Sequence, residues 1–139
     1  MIKLSELKET LNSGGYTLAV SKGDTLLTSR EKGIRPLLEL ALSKDDLSGA
    51  YAADRIVGKA AAMLYTIIKA KAVYAEVLSE KAAEVFEKYG IAYEYDTLTE
   101  NIINRMGTGL CPMEDAVKDI SQPEQALRAI DNKVKTLKK

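Results

Sequence analysis

From Leu47 to Asp96 the chain repeats one alternation: a short run of small, β-branched or aromatic residues, then a longer run with helical spacing. "LSGAYAA" reads as a strand, "RIVGKAAAMLYTIIKA" as a helix and "AVYAEV" as a strand. "SEKAAEVFEKYG" follows as an amphipathic helix ending at Gly90, and "IAYEYD" as a further strand. Strands separated by helices of this length return parallel to one another, so the alternation selects an α/β fold with a largely parallel sheet. In the first of these helices Ile56, Val57, Ala60, Ala61, Ala62, Met63, Leu64, Ile67 and Ile68 leave almost no polar face, which predicts a buried helix.

The flanks extend this pattern. Residues 2–11 predict a short amphipathic helix with Ile2, Leu4, Leu7 and Leu11 inward, stopped by "NSGG". Tyr16–Val20 and Thr25–Thr28, joined by a turn containing Lys22-Gly23-Asp24, predict an antiparallel hairpin, and Pro36 sits near the start of a helix carrying Leu37, Leu38, Leu40 and Leu42. The last third predicts helices: Thr97 and Glu100 have capping-box spacing before "NIINRM", Gly107 is a stop, Pro112 opens "MEDAVKDI", and Ser121 with Glu124 marks "QALRAIDNKVKTL". Leu127, Ile130, Val134 and Leu137 share one face of that last helix, which either packs back on the sheet or meets a partner.

At 139 residues the chain fits one domain, with a core at about 14–96 and a C-terminal helical extension at about 97–139. No apolar run approaches the roughly 20 residues needed to span a bilayer, and "MIKLSELKET" lacks the apolar core of a secretory signal. One unpaired cysteine suits a reducing compartment, so a cytoplasmic location is expected. Twenty Lys and Arg balance twenty Asp and Glu, which gives no electrostatic reason to expect nucleic acid, and the basic end "DNKVKTLKK" reads as a solvated helix terminus.

"AYAADRIVGKAAAMLY", "AVYAEVLSEKA", "IAYEY" and "NRMGTGLCPMEDAV" resemble the signature stretches of a small, uncharacterised bacterial family of cytidine deaminase-like fold, a domain of unknown function. The resemblance implies a three-layer α/β architecture: a mixed sheet with an N-terminal hairpin, flanked by helices, plus the C-terminal extension. It carries no established activity. True deaminases hold zinc through a His or Cys at one helix start and two Cys of a "P-C-x-x-C" motif. This chain has no histidine, Asp54 and Arg55 where the cysteine pair would stand, and "CPME" with Cys and Pro reversed. One thiol cannot supply the three or so N, S or O ligands of a catalytic zinc, so no metal and no cofactor is expected.

A pocket is still expected where helix N-termini meet the carboxyl ends of parallel strands. In "AADRIVGKA" Asp54 is read as the helix N-cap, Gly58 as the residue permitting close approach, and Arg55 and Lys59 as cations for an anionic, nucleotide-like guest. The bland alternative is a cap, a tight packing contact and two solvated cations. Glu76 lies on the same carboxyl edge, and Ser79 would cap the next helix. Near the second stretch, Arg105, Gly107, Thr108 and Gly109 are further ligand-binding candidates. Cys111 falls at a helix N-cap, where the dipole favours thiolate, but Glu114 and Asp115 oppose that gain and no histidine can act as its base.

Three functions compete. The first is a metal-free small-molecule or nucleotide-binding protein on a deaminase-like scaffold. The second is an enzyme of altered mechanism with Cys111 as nucleophile and Glu114 or Glu76 as proton carrier. The third is an assembly protein using the C-terminal apolar stripe. Its partners are expected to be an anionic small molecule and, as a homo-oligomer, further copies of the chain, with neither membrane nor nucleic acid.

Overall fold

The computed structural model describes residues 3–43, 45–103, 107, 109 and 111–137. Helix α1 (Leu4–Ser13) leads into the hairpin β1 (Leu18–Lys22) and β2 (Thr25–Ser29), followed by α2 (Arg35–Leu42). Two strand–helix units come next: β3 (Tyr51–Val57) with α3 (Lys59–Ile67), and β4 (Ala72–Ser79) with α4 (Glu80–Tyr89). Strand β5 (Ala92–Thr99) and helices α5 (Pro112–Val117) and α6 (Pro123–Leu137) complete the chain. The five strands form one mixed sheet in the order β2-β1-β3-β4-β5. β1 is antiparallel to β2 and β3, while β3, β4 and β5 run parallel.

The local reasons are those of the sequence. Lys22 pairs with Thr25, leaving Gly23-Asp24 as a two-residue loop; Gly23 supplies the positive φ of 59° that its first position requires. Ser79 caps α4 by accepting from the Ala82 N–H at 3.0 Å, and Gly90 ends it in the left-handed conformation.

Alternation along the strands divides the core. Ala19, Ala53 and Tyr74 face α1, whose Leu7 and Leu11 are fully buried against them. Leu18, Val20, Ala52, Val73 and Ala75 face the larger layer, meeting Leu37 and Leu38 of α2, α3 as a whole, Val85 and Phe86 of α4, and Ala126 and Ile130 of α6. The small residues of β3 and α3 let backbones approach closely, and Tyr65, Phe86 and Tyr93 fill the space with ring centroids 6.3 and 5.8 Å apart. Burying a side chain such as Phe86 or Leu64 contributes about 1.5–3 kcal/mol.

Two expected boundaries move. The strand written in "LSGAYAA" runs on through Asp54 to Val57, because Ile56 and Val57 pair with Val77 and Leu78 of β4, and α3 starts only after Gly58. Asp54 is therefore a strand residue and not an N-cap. Thr97 is no cap either: it pairs with Val77 inside β5, which continues to Thr99, and Asn101 and Ile102 are not helical. The rest of "NIINRM", Asn104–Met106, lies outside the described residues. In α6, Ile130 is fully buried and Leu127 and Val134 pack on the core, so only Leu137 of the apolar stripe is exposed. No helix among the described residues is long and apolar enough to cross a membrane.

Candidate functional site

The N-terminus of α3 was expected to hold an external anion, and it holds a carboxylate of the chain itself. Helix α5 brings Glu114 across so that its Oε1 accepts the backbone N–H of Lys59 at 2.7 Å and its Oε2 the N–H of Ala60 at 2.8 Å. The N-cap residue is Gly58, which has no side chain to serve those amides. A Cβ added to Gly58 would lie 2.2 Å from Glu114 Oε1 and 2.5 Å from its Cδ. With φ at −100° the backbone here is open to any residue, so room for the carboxylate is what requires glycine. Glu114 is only 8% exposed, and the positive end of the helix with two aligned donors offsets the cost of burying its charge.

The other expected residues separate according to the pleat of β3. Asp54 points toward α3, where it accepts the Tyr65 hydroxyl at 2.7 Å. Burial pushes its carboxyl up to about 6, opposed by that hydroxyl and by the N–H groups of Arg55 and Ile56. Burial, then the neighbouring Asp54, also pushes Tyr65 well above the ordinary tyrosine range. Arg55 points to the opposite face and is spent on structure. Its guanidinium donates to the carbonyls of Tyr16 (2.9 Å) and Leu11 (2.9 Å), to Asn12 Oδ1 (2.7 Å) and to Glu76 Oε2 (2.8 Å). Those bonds tie the end of α1 to the sheet and engage Glu76 in the same network, so Arg55 and Glu76 work on the α1 side of the sheet while Asp54 faces α3.

Cys111 is the N-cap of α5 and half-buried; its N–H donates to the Ile102 carbonyl at 2.9 Å, and its thiol makes no capping bond. Gly107, with φ at 70°, and Gly109 are exposed. Arg105 and Thr108 lie outside the described residues. Among the described residues no group of three or more His, Cys, Asp or Glu could hold a metal ion.

Lys59 links the plugged helix end to a feature the sequence did not expose. Its Nζ donates to the Lys118 carbonyl at 3.2 Å, at the rim of an open groove of about 280 Å³ between α3, α4 and the α5–α6 connection. Lys59, Lys81, Lys88 and Lys118 line it with a single acid, Glu84, over an apolar floor of Met63, Val85 and Ile120 beside Tyr89. Lys118 pairs with Asp115 at 3.4 Å outside the lining, whereas Lys81 and Lys88 are in no ion pair among the described residues. Burial and then the like charge of Lys81 lower the Lys59 ammonium, with Glu114, Asp119 and Glu84 pulling it back. In the sequence the only trace of this groove is Lys81, Glu84 and Lys88 recurring at three- and four-residue spacing on α4.

The family model for a domain of unknown function, DUF1893, matches residues 6–134. The chain belongs to the DUF1893 family. The crystal structure of a DUF1893 family protein from Thermotoga maritima superposes with a TM-score of 0.83 at 28% identity, covering 90% of this chain and 85% of that one. No curated protein matches the chain.

Proposed function

We propose that this DUF1893 protein is a metal-free binder of a small anionic molecule, built on a deaminase-like scaffold, and that the ligand sits in the lysine-lined groove rather than at the α3 N-terminus. The scaffold reading is supported by the hairpin, the parallel β3-β4-β5 run and the helices on both faces. The observation that carries the binding reading is an open groove lined by Lys59, Lys81, Lys88 and Lys118 with Glu84 as the one carboxylate of its lining, Lys81 and Lys88 being in no ion pair among the described residues. Like charges gathered this way repel one another, and an anion relieves that repulsion while gaining several charge-assisted hydrogen bonds. The α3 N-terminus is the poorer reading because both oxygens of Glu114 already satisfy its amides. That same engagement counts against Glu114 as a proton carrier for Cys111.

Thermal unfolding at low ionic strength, with phosphate, pyrophosphate and sulfate as probes, tests the proposal. A probe at 100 times its dissociation constant stabilises the native state by about 2.7 kcal/mol. The stabilisation is expected to fade as salt rises, because the lysines are solvent-facing, and to drop sharply in a Lys81→Ala/Lys88→Ala variant. No stabilisation by any of these anions, or equal stabilisation of the variant, refutes the assignment.

A further inference from the structure

We infer that two copies of this chain pair β2 against β2 across a two-fold axis, joining their sheets edge to edge; this is independent of the groove, which lies among α3, α4 and the α5–α6 connection. β2 ends the sheet, and its sequence "TLLTS" contains neither a charge nor a proline, the residues that commonly block an edge. Lys22 and Thr25 flank the two-residue loop as a hydrogen-bonded pair, and alternation along the ladder makes Val20 and Leu27 the next such pair. Leu26 and Thr28 therefore turn their N–H and C=O groups away from β1, toward the open edge. Leu27 stands beside Val20 on the face of the larger core layer and Leu26 beside Ser21 on the other face, yet they are 38% and 41% exposed. The apolar stripe of α6 offers no comparable surface, because Ile130 is fully buried and Leu127 and Val134 pack on the core.

A second β2 complements this edge. Centred on Leu27, antiparallel pairing sets Leu26 of each copy opposite Thr28 of the other, so the outward N–H groups meet outward C=O groups. Leu27 meets its own counterpart as the close pair that exchanges no hydrogen bond, and Thr25 meets Ser29. One residue further out, Asp24 of each copy stands opposite Arg30 of the other. Arg30 is held at that end of the strand by the Gly14 carbonyl, at 3.0 and 3.2 Å, with its guanidinium over the Tyr16 ring. Opposite charges thus close both ends of an uncharged centre, and no like charges oppose one another from Asp24 to Arg30. The other edge fails this test: two β5 strands paired antiparallel about Tyr95 would set Glu94 against Asp96 at both ends of the contact. Joining β2 of one copy to β5 of the next would add copies without closing on a two-fold axis. A five-residue strand buries less area than a permanent dimer needs, so the expected dimer is weak and forms with concentration.

Sedimentation velocity over about a hundredfold range of concentration, with amide hydrogen exchange measured at both extremes, tests this. A monomer–dimer equilibrium is expected, with exchange at Leu26 and Thr28 slowing as the dimer fills and exchange along β5 unchanged. Leu27→Lys brings like charges together at the axis, and Thr28→Pro deletes an outward N–H that β1 does not use. Each should weaken self-association at least about tenfold. Both positions are exposed, so these variants should keep the wild-type circular dichroism. Asp24→Arg and Arg30→Asp should each impair the dimer alone and restore it when the two proteins are mixed, because opposite charges then face one another at both ends. A wild-type protein that stays monomeric throughout overturns the proposal, as does a dimer that leaves Leu26 and Thr28 exchange unchanged. Survival of the dimer in both Leu27→Lys and Thr28→Pro, no recovery on mixing, or growth past the dimer overturns it equally. Anion binding in the groove is measured separately and stands or falls without regard to these results.

Discussion

Replacing Gly58 by alanine should cost this protein far more than its position at the head of a helix suggests, and the cost should vanish when Glu114 is removed. Glu114 gives its two oxygens to the Lys59 and Ala60 amides at 2.7 and 2.8 Å, and the side chain is 8% exposed. Hydrogen bonds to a charged group are worth about 1.5–3 kcal/mol each, and buried amides left unmet cost about 1–3 kcal/mol. Allowing for water reaching the vacated space, Glu114→Ala should lose about 2–4 kcal/mol. The alanine methyl of Gly58→Ala would stand 2.2 Å from Oε1, a separation no structure tolerates, so the carboxylate must leave and a loss of similar size is expected. Without Glu114 the methyl meets no carboxylate. The backbone at φ −100° then accepts alanine, and the reduced entropy of the unfolded chain favours it by about 0.4–1 kcal/mol. Urea unfolding of the four proteins closes the cycle, with a coupling energy of about 2 kcal/mol or more between the two sites. Additive losses would show that the contact does not hold the helix start and that glycine is required for some other reason.

Three further outcomes follow from the same structure. Asp54 has a folded-state pKa of about 6 against 3.8 for the free side chain, so between those values the native state binds the proton more tightly than the unfolded chain. Its contribution to stability is fully present below about 3.8 and is lost as pH rises through about 6; Asp54→Asn should therefore gain on the wild type as pH rises across that window, and a difference constant with pH would be contrary. Arg55→Lys cannot serve Tyr16, Leu11, Asn12 and Glu76 together and should lose about 1–3 kcal/mol, with faster hydrogen exchange concentrated in α1; uniform exchange would deny Arg55 its anchoring role. Cys111→Ser should leave phosphate binding in the groove within about twofold, about 0.4 kcal/mol, by titration, since the thiol is not among the groove's lining residues; a larger loss would reinstate the thiol as a ligand contact.

The sheet was legible because its signals are local and redundant. Alternating strand and helix between Leu47 and Asp96 dictates parallel pairing, Gly90 stops α4, and Ser79 caps it. The boundary at Asp54 was misread because two local signals conflict there. An aspartate before an apolar run looks like an N-cap, but Ile56 and Val57 are β-branched and find partners on β4, so the pairing carries the strand past the aspartate. Thr97 and Glu100 repeat the error: the spacing of a capping box exists, and the ladder with β4 overrides it. For the site, sequence pointed to the junction at Asp54–Lys59 as a place for an external anion, whereas the helix begins only after Gly58 and its first amides are held by Glu114. Sequence placed Glu114 beside Cys111 because the two are neighbours along the chain, whereas the contact that matters spans fifty-five positions. One hint was available. An alanine-rich helix preceded by glycine, with no polar side chain at its cap, has unmet amides, and something distant must answer them.

The source of that answer decides where a ligand can go. A carboxylate tethered by the folded chain faces the α3 amides at an effective concentration that a free anion in solution does not reach, so a phosphate arriving there would have to displace an occupant that is always present. The tie instead fixes α5 across the head of α3 and sets Lys118 against Lys59. Lys59 thereby divides its work: its N–H holds Glu114 while its ammonium donates to the Lys118 carbonyl at the rim of the groove. An internal acid that completes the helix end and a cluster of cations left beside it are two results of one docking event. Hence Gly58, which is not itself among the groove's lining residues, should matter to anion binding through the positions of α5 and of Lys59 beside it.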